Sequence, residues 1–326
     1  MIRMQRWRGI EATPRRWGRS VVTIGVFDGV HRGHQHIIGK TVAEARRAQL
    51  RSVVVTFDPH PLQVLRPDKC PTSLTDLDYR GDLIASLDVD GLCVLPFTRE
   101  FSQLAPEDFV NDLLVERLNA AHVVVGENFR FGHKASGDTE LLKELGESAG
   151  FTVDAVALSG TDDAVFSSTY VRGRIESGDV AAARQALGRP YRLSGPVVHG
   201  ADRGGKQLGF PTANLRHTPT ATVPADGVYA GWLVRSDGTA LKAALSVGTN
   251  PTFDGVSQSV EAYVLDFSDD LYGEQVSLDF VARIREQRTY DSLQPLVDQM
   301  HADVDETRKL LDELSGLLTL TRMHVC

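Results

Sequence analysis

Two histidines three residues apart, His31 and His34, close the run Gly25-Val26-Phe27-Asp28-Gly29-Val30-His31-Arg32-Gly33-His34, which joins a short apolar stretch to a helix-like one. Glycine permits tight turns and close backbone approach to a ligand. The start of a helix offers free N–H groups and the positive end of its dipole. Two imidazoles straddling such a terminus can face one anion, so the spacing suits a phosphate clamp. Two plainer readings stay open: metal ligation, although no third ligand of fitting spacing is evident, and polar residues incidental to a helix start. The loop does not match the dinucleotide fingerprint Gly-x-Gly-x-x-Gly. Farther along, Ser167-Ser168-Thr169-Tyr170-Val171-Arg172 precedes another helix-like segment. Alone, it reads as a helix cap by Ser168 or Thr169.

The second chemically suggestive region runs from Gly200 to Asn214. Gly200, Gly204, Gly205 and Lys206 have the Gly-x4-Gly-Lys spacing of a P-loop, but Gln207 cannot supply the hydroxyl that coordinates Mg²⁺ there, and no βαβ unit surrounds it. A hairpin connection fits the same residues. In the following Pro211-Thr212-Ala213-Asn214, Thr212 and Asn214 are two apart, so an extended chain points both to one face. A hydroxyl and an amide oxygen are hard ligands of the kind Mg²⁺ accepts. A proline-initiated turn is the alternative.

The elements that must position these residues differ between the halves. Apolar runs Ser20–Gly25, Arg51–Phe57, Gly91–Phe97, His122–Gly126 and Phe151–Val156 alternate with helix-like stretches His34–Ala48, Pro106–Leu118 and Thr139–Ala149. That is the pattern of βαβ units around a parallel sheet, which binds ligands beyond the carboxyl ends of its strands. After Arg189-Pro190, strand-like runs follow with few helical interruptions: Tyr191–Val198, Gly227–Val234, Leu241–Val247, Val260–Phe267 and Gln275–Ile284. They predict an antiparallel barrel or sandwich. One helix closes the chain, with Asp291 as the expected N-cap, Gln294 as its capping-box partner and Pro295 in the first turn.

The 326 residues exceed the usual size of one core, so two domains are expected, residues 1–187 and 188–326. A net charge of −8 argues against coating nucleic acid. No apolar run approaches the ~20 residues of a membrane span, and the arginine-rich start lacks the apolar stretch of a secretory signal. Cys70, Cys93 and Cys326 form no metal or redox pattern. A cytoplasmic protein with neither nucleic-acid nor membrane partners is the expectation.

Taken together, the histidine loop, the Ser167-Ser168-Thr169…Arg172 segment, Phe57-Asp58-Pro59-His60-Pro61 and Gly126-Glu127-Asn128-Phe129-Arg130-Phe131-Gly132 resemble the adenylyltransferase module of bacterial bifunctional flavin-making enzymes, within the nucleotidylyltransferase superfamily. The run Leu208-Gly209-Phe210-Pro211-Thr212-Ala213-Asn214 resembles the riboflavin kinase signature. So do Gly227–Gly231, Ser246–Thr252, Val260-Glu261 and Leu271–Gly273.

The resemblance implies an α/β, Rossmann-like parallel-sheet domain followed by a small six-stranded antiparallel barrel with a C-terminal helix. It implies phosphorylation of riboflavin to FMN, then adenylylation of FMN to FAD, with ATP as co-substrate and Mg²⁺ as cofactor. In the first site His31, His34 and Arg172 would be catalytic. Gly25, Phe27, Asp28, Gly33, Ser167, Ser168 and Thr169 would bind ATP and its phosphates. Phe57, Asp58, His60 and Pro61 would shape the flavin or adenine pocket, and Asn128 would contact substrate phosphate or Mg²⁺ there.

In the second site Glu261 would be the base, with an exposed strand glutamate as the bland alternative. Thr212 and Asn214 would hold Mg²⁺, and Gly200, Gly204, Gly205 and Lys206 would form a flap over the nucleotide. Arg285 and Tyr290 belong to the segment expected to cover the flavin. The stretch Asp312–Cys326 departs from the family pattern. Whether its leucines pack, self-associate into a homo-oligomer or hang free stays open.

Overall fold

The computed structural model describes residues 4–14, 17–157, 160–161, 164–200, 210–252 and 255–323. The chain divides into two compact units, Met1–Ser168 and Thr169–Cys326. The break lies upstream of the expected division after residue 187, so the helices between 169 and 187 cluster with the second unit.

In the first unit, strands β1 (Gln5–Arg8), β2 (Ser20–Ile24), β3 (Arg51–Asp58), β4 (Gly91–Pro96), β5 (Ala120–Gly126) and β6 (Thr152–Val156) form one sheet in the order β1-β4-β3-β2-β5-β6. Every pairing is parallel. Helices α1 (Arg32–Arg47), α2 (Pro61–Leu65), α3 (Leu77–Ala85), α4 (Pro106–Phe109, continued by a π-helical turn to Arg117) and α5 (Thr139–Ala149) connect the strands. A two-residue hairpin, β7 (Gly160–Thr161) and β8 (Ala164–Val165), follows β6.

Burial on both faces explains the continuous apolar runs. Val53 and Val55 face a core with Cys93, Val123, Phe109 and Leu114, whereas Val54 between them faces Ile38, Val42 and Leu92. Edge strand β1 carries no apolar run, since Trp7 is the only buried residue of its four, and the sequence pattern does not reveal it.

The strand order reverses beside β2, since β3 and β4 lie on one side of it and β5 and β6 on the other. That switch point opens a crevice at the carboxyl ends of β2 and β5, where open parallel sheets bind ligands. The histidine loop leaves β2 there, and the Asn128 segment leaves β5.

The second unit begins with α6 (Ser168–Glu176) and α7 (Val180–Leu187), α6 opening at the break. Strands β9 (Tyr191–Val198), β10 (Ala213–Leu215), β11 (Gly227–Arg235), β12 (Ala240–Thr252), β13 (Gly255–Val264) and β14 (Gln275–Arg285) form a closed barrel in the order β10-β13-β12-β11-β14-β9. All its pairings are antiparallel. The period-2 pattern places Val260, Ala262 and Val264 inside, with Glu261 and Tyr263 between them on the other face.

The closing helix α8 (Leu293–Met323) covers β11, β12 and β14 through Leu310, Leu311 and Leu314. It begins two residues later than Asp291, so Ser292 precedes it and the expected capping box is not formed. The Gln294 side chain instead donates forward to Asp298 at 2.9 Å, an i,i+4 bond along the helix.

Candidate active sites

The histidine loop is the N-terminus of α1. His31 is its N-cap, with Nδ1 accepting from the His34 backbone N–H at 3.4 Å, and the two imidazoles stack 3.6 Å apart. The His34 ring also meets Phe27 edge-on at 5.2 Å. A Cβ on Gly33 would come within 3.1 Å of the His31 ring and 3.3 Å of the Phe166 carbonyl, so a larger residue there would have to move one of them by a few tenths of an ångström. Phe27 (φ 51°) and Val30 (φ 40°) are left-handed without being glycine. For bulky or β-branched residues such a backbone is strained, at a cost of about 1–3 kcal/mol.

Asp28, expected among the phosphate-binding residues, is 3% exposed and its carboxylate faces inward. It accepts from the backbone N–H groups of Leu74 (3.0 Å) and Thr75 (3.0 Å) and from the Thr75 hydroxyl (3.1 Å). What Asp28 presents to the other side of the loop is its carbonyl, which takes the Ser168 hydroxyl at 2.9 Å. That bond ties the Ser167-Ser168 segment to the histidine loop.

A cavity of about 860 Å³ opens over this terminus. Gly25, Phe27, His31, Gly33, His34, Phe57, Pro61, Asn128, Ser167 and Ser168 all line it. Its far wall is aromatic: Phe57, Phe97 and Phe101 pack with ring centres 5.6–6.2 Å apart, and Phe129 stacks on Phe131 at 5.6 Å. One end therefore offers donors for an anion and the other a surface for a flat ring system, and the volume lies in the upper part of the usual range for ligand pockets.

Asp58 and His60 are not in the lining. Asp58 pairs with Arg8 at 2.7 Å, and His60 caps α2 by accepting from the Leu62 N–H at 3.1 Å. Each is next in sequence to a lining residue, Asp58 to Phe57 and His60 to Pro61. Thr169 and Arg172 fall in the second unit, on α6, where Thr169 is exposed and Arg172 is 8% exposed.

In the barrel, Asn214 on β10 stands opposite Glu261 on β13. The Thr212 hydroxyl donates to Glu261 Oε2 at 2.9 Å. Glu261 thus meets Thr212 through its hydroxyl and Asn214 through strand register, and the Asn214 amide nitrogen lies 3.5 Å from the Thr212 carbonyl. Gly200 is also part of this packing, since a Cβ there would lie 2.5 Å from the Asn214 amide nitrogen. Gly204, Gly205 and Lys206 lie outside the described residues. The chain returns to the barrel at Phe210, 4% exposed and held between Tyr263 and His301, each ring 5.0 Å away.

The Arg285 guanidinium is taken up by Asp303 of α8, with Nε at 2.9 Å and Nη2 at 2.7 Å, and these bonds raise its pKa. The arginine anchors the helix to the end of β14. The Tyr290 hydroxyl is enclosed and has no hydrogen-bond partner among the described residues.

Sequence reasoning missed Thr75 and Arg80, which brace the histidine loop from 46 and 54 positions away and carry no motif. It also missed Arg66 and Lys134 in the cavity lining. Among the described residues, no group of three or more His, Cys, Asp or Glu is placed to hold a metal.

Residues 13–170 match the FAD synthetase family and residues 187–311 the riboflavin kinase family. The bifunctional riboflavin kinase/FMN adenylyltransferase of Escherichia coli K12 is 36% identical over 87% of this chain and 90% of its own length. That of Listeria monocytogenes is 36% identical over 90% and 93%. A Streptococcus pneumoniae crystal structure described as a macrolide-efflux protein superposes with a TM-score of 0.85 at 33% identity, covering 94% of this chain and 99% of that one. Efflux belongs to that protein's description; here, among the described residues, no helix is long and apolar enough to cross a membrane. With both domains matched in order and relatives aligned over nearly their full length, the chain belongs to the bifunctional riboflavin kinase/FMN adenylyltransferase family.

Proposed function

We propose that the two sites divide the family's chemistry, with residues 188–326 phosphorylating riboflavin and residues 1–187 adenylylating the FMN produced. The two activities are those of the family: riboflavin and ATP give FMN, and FMN and a second ATP give FAD and pyrophosphate. The observation that carries the division is that each half has its own constellation, Thr212, Asn214 and Glu261 on the barrel, and the His31–His34 loop under a cavity at the sheet's switch point.

In the barrel, Glu261 is the general base. It already accepts a hydrogen bond from one hydroxyl, that of Thr212, and the ribityl 5′-hydroxyl must lose its proton as its oxygen attacks the γ-phosphorus. Thr212 and Asn214 would hold Mg²⁺. The donor set fits, being neutral oxygens beside one carboxylate, with Thr212 donating a hydrogen bond to Glu261 and keeping its lone pairs available. When bound, the ion supplies neutralisation of phosphate charge. Gly200, with Gly204, Gly205 and Lys206, closes over the nucleotide. Tyr290 lies on the flavin side, where its unpartnered hydroxyl suits a polar edge of the ring, and Arg285 fixes that segment through Asp303.

In the first unit the FMN phosphate oxygen attacks the α-phosphorus of ATP in line and the bond to pyrophosphate breaks. Little covalent work falls to the protein, so positioning and charge neutralisation carry the rate. His31, His34 and the first turn of α1 hold the phosphates. Ser167 and Ser168 hold the departing pyrophosphate. Gly25 and Phe27 line the nucleotide side, with Asp28 bracing the loop. Phe57 and Pro61 line the flavin side, Asp58 and His60 shape it, and Asn128 reaches substrate phosphate. We place the enzyme in the cytoplasm, working on small molecules.

Chromatographic separation of flavins after incubation with riboflavin, ATP and Mg²⁺ tests the reading. FMN and FAD should both accumulate. Unchanged riboflavin would leave only a flavin- or nucleotide-binding protein.

A further inference from the structure

The shape of the histidine loop is imposed from α3 and the residues before it. Phe27 and Val30 hold left-handed backbones at φ 51° and 40°, which neither residue type favours, so the surroundings must enforce them. The enforcing groups are buried and specific. Arg80, with a side chain 10% exposed, donates from Nη1 to the Val26 carbonyl (3.1 Å) and from Nη2 to the Thr75 carbonyl (3.2 Å), and its Nε reaches the Thr75 hydroxyl oxygen (3.4 Å). The Thr75 hydroxyl donates to Asp28 Oδ1 (3.1 Å) and accepts from the Gly29 N–H (3.1 Å). Arg80 also lies 3.7 Å from the Asp28 carboxylate, balancing a negative charge buried directly beneath a loop that must hold polyphosphate. Backbone positions 26, 28 and 29 are thereby fixed two residues before the His31 cap, although neither Thr75 nor Arg80 lines the cavity.

We propose that Arg80 and Thr75 are positioning residues for adenylyl transfer, holding the strained Val26–Val30 turn so that His31 and His34 meet the ATP phosphates in register. The inference rests on the assignment of adenylyl transfer to the first unit. Displacing catalytic groups by about an ångström costs on the order of a hundredfold in rate, whereas the aromatic wall of Phe57, Phe97, Phe101, Phe129 and Phe131 is built from residues outside this turn. The effect should therefore fall on kcat and spare FMN recognition.

The test uses full-length Arg80→Met, Thr75→Val and Thr75→Ser chains, with riboflavin phosphorylation by the same molecules as an internal control. Arg80→Met and Thr75→Val should lower kcat for FAD formation by about ten- to a hundredfold. The KM for FMN, the number of FMN molecules bound per chain and the rate of riboflavin phosphorylation should stay within about twofold of the parent. Thr75→Ser, which keeps the hydroxyl, should restore kcat. The proposal is overturned if kcat stays near the parent value in either variant, if it falls only in proportion to a loss of FMN-binding sites, or if serine does not rescue it. A parent chain that forms no FAD from FMN and ATP, or a His34→Ala chain that forms it at the parent rate, would overturn the assignment and this proposal together.

Discussion

Glycine at position 200 is as much a part of the packing around Asn214 as the side chains there. Any Cβ there would sit 2.5 Å from the Asn214 amide nitrogen, so Gly200→Ala must displace that amide from its place beside the Thr212 carbonyl, 3.5 Å away. Riboflavin phosphorylation should drop about a hundredfold in that variant, read by FMN production, with FAD formation from added FMN unchanged. On the other unit, His34→Ala should cut FAD formation by at least a similar factor and leave phosphorylation intact. At this scale residue types were legible and their partners were not. The Thr212–Asn214 spacing pointed to one face, and Glu261 takes the Thr212 hydroxyl and stands opposite Asn214 in strand register. Asp28 sat in the right motif, yet its carboxylate turns inward to Leu74 and Thr75, because only the tertiary fold decides which side of a loop faces the ligand.

Elements hold these residues in register, and α8 is the clearest case. Leu311 is fully buried against Ala230 and Val281, and Asp303, 6% exposed along its side chain, takes the Arg285 guanidinium. Leu311→Ala should lower the stability of the barrel unit by about 2–5 kcal/mol through the cavity it leaves. Asp303→Ala should cost about 3–5 kcal/mol, because it strands a largely buried cation. Thermal or denaturant unfolding followed at the barrel's Trp232 would check both. Strands with continuous or alternating apolar patterns are legible in the amino-acid sequence alone. β1, three of whose four residues are exposed, and the three-residue β10 are not, because pairing rather than composition makes them strands. The start of α8 slipped by one residue for a similar reason: Ser292 and Asp291 are both good caps, and local sequence does not choose between them.

For the whole molecule, the order of the two halves, the parallel sheet and the barrel were legible because each follows from periodicity and from motifs with fixed places on those folds. The location of the break and the bracing of the histidine loop depend on contacts between distant positions. Each unit also buries an acid that resists ionisation: burial pushes the Cys93 thiol up from 9.0 to about 11 and the Tyr229 phenol up from 10.0 to about 12. Both values are raised, so unfolding releases protons at alkaline pH. Stability from these groups is complete below the ordinary values and is lost as pH climbs through the folded ones. Tm should therefore fall between about pH 9 and 12, and Tyr229→Phe should flatten the part of that decline above about pH 10; a Tm independent of pH across that interval would contradict the burial described. The most direct test of two independent sites is complementation. Asn214→Ala chains given riboflavin, ATP and Mg²⁺ should make no FMN, and His31→Ala chains should stop at FMN, whereas a mixture of the two should make FAD from FMN passed through solution. A mixture that yields no FAD, or either variant making FAD from riboflavin alone, would contradict the account.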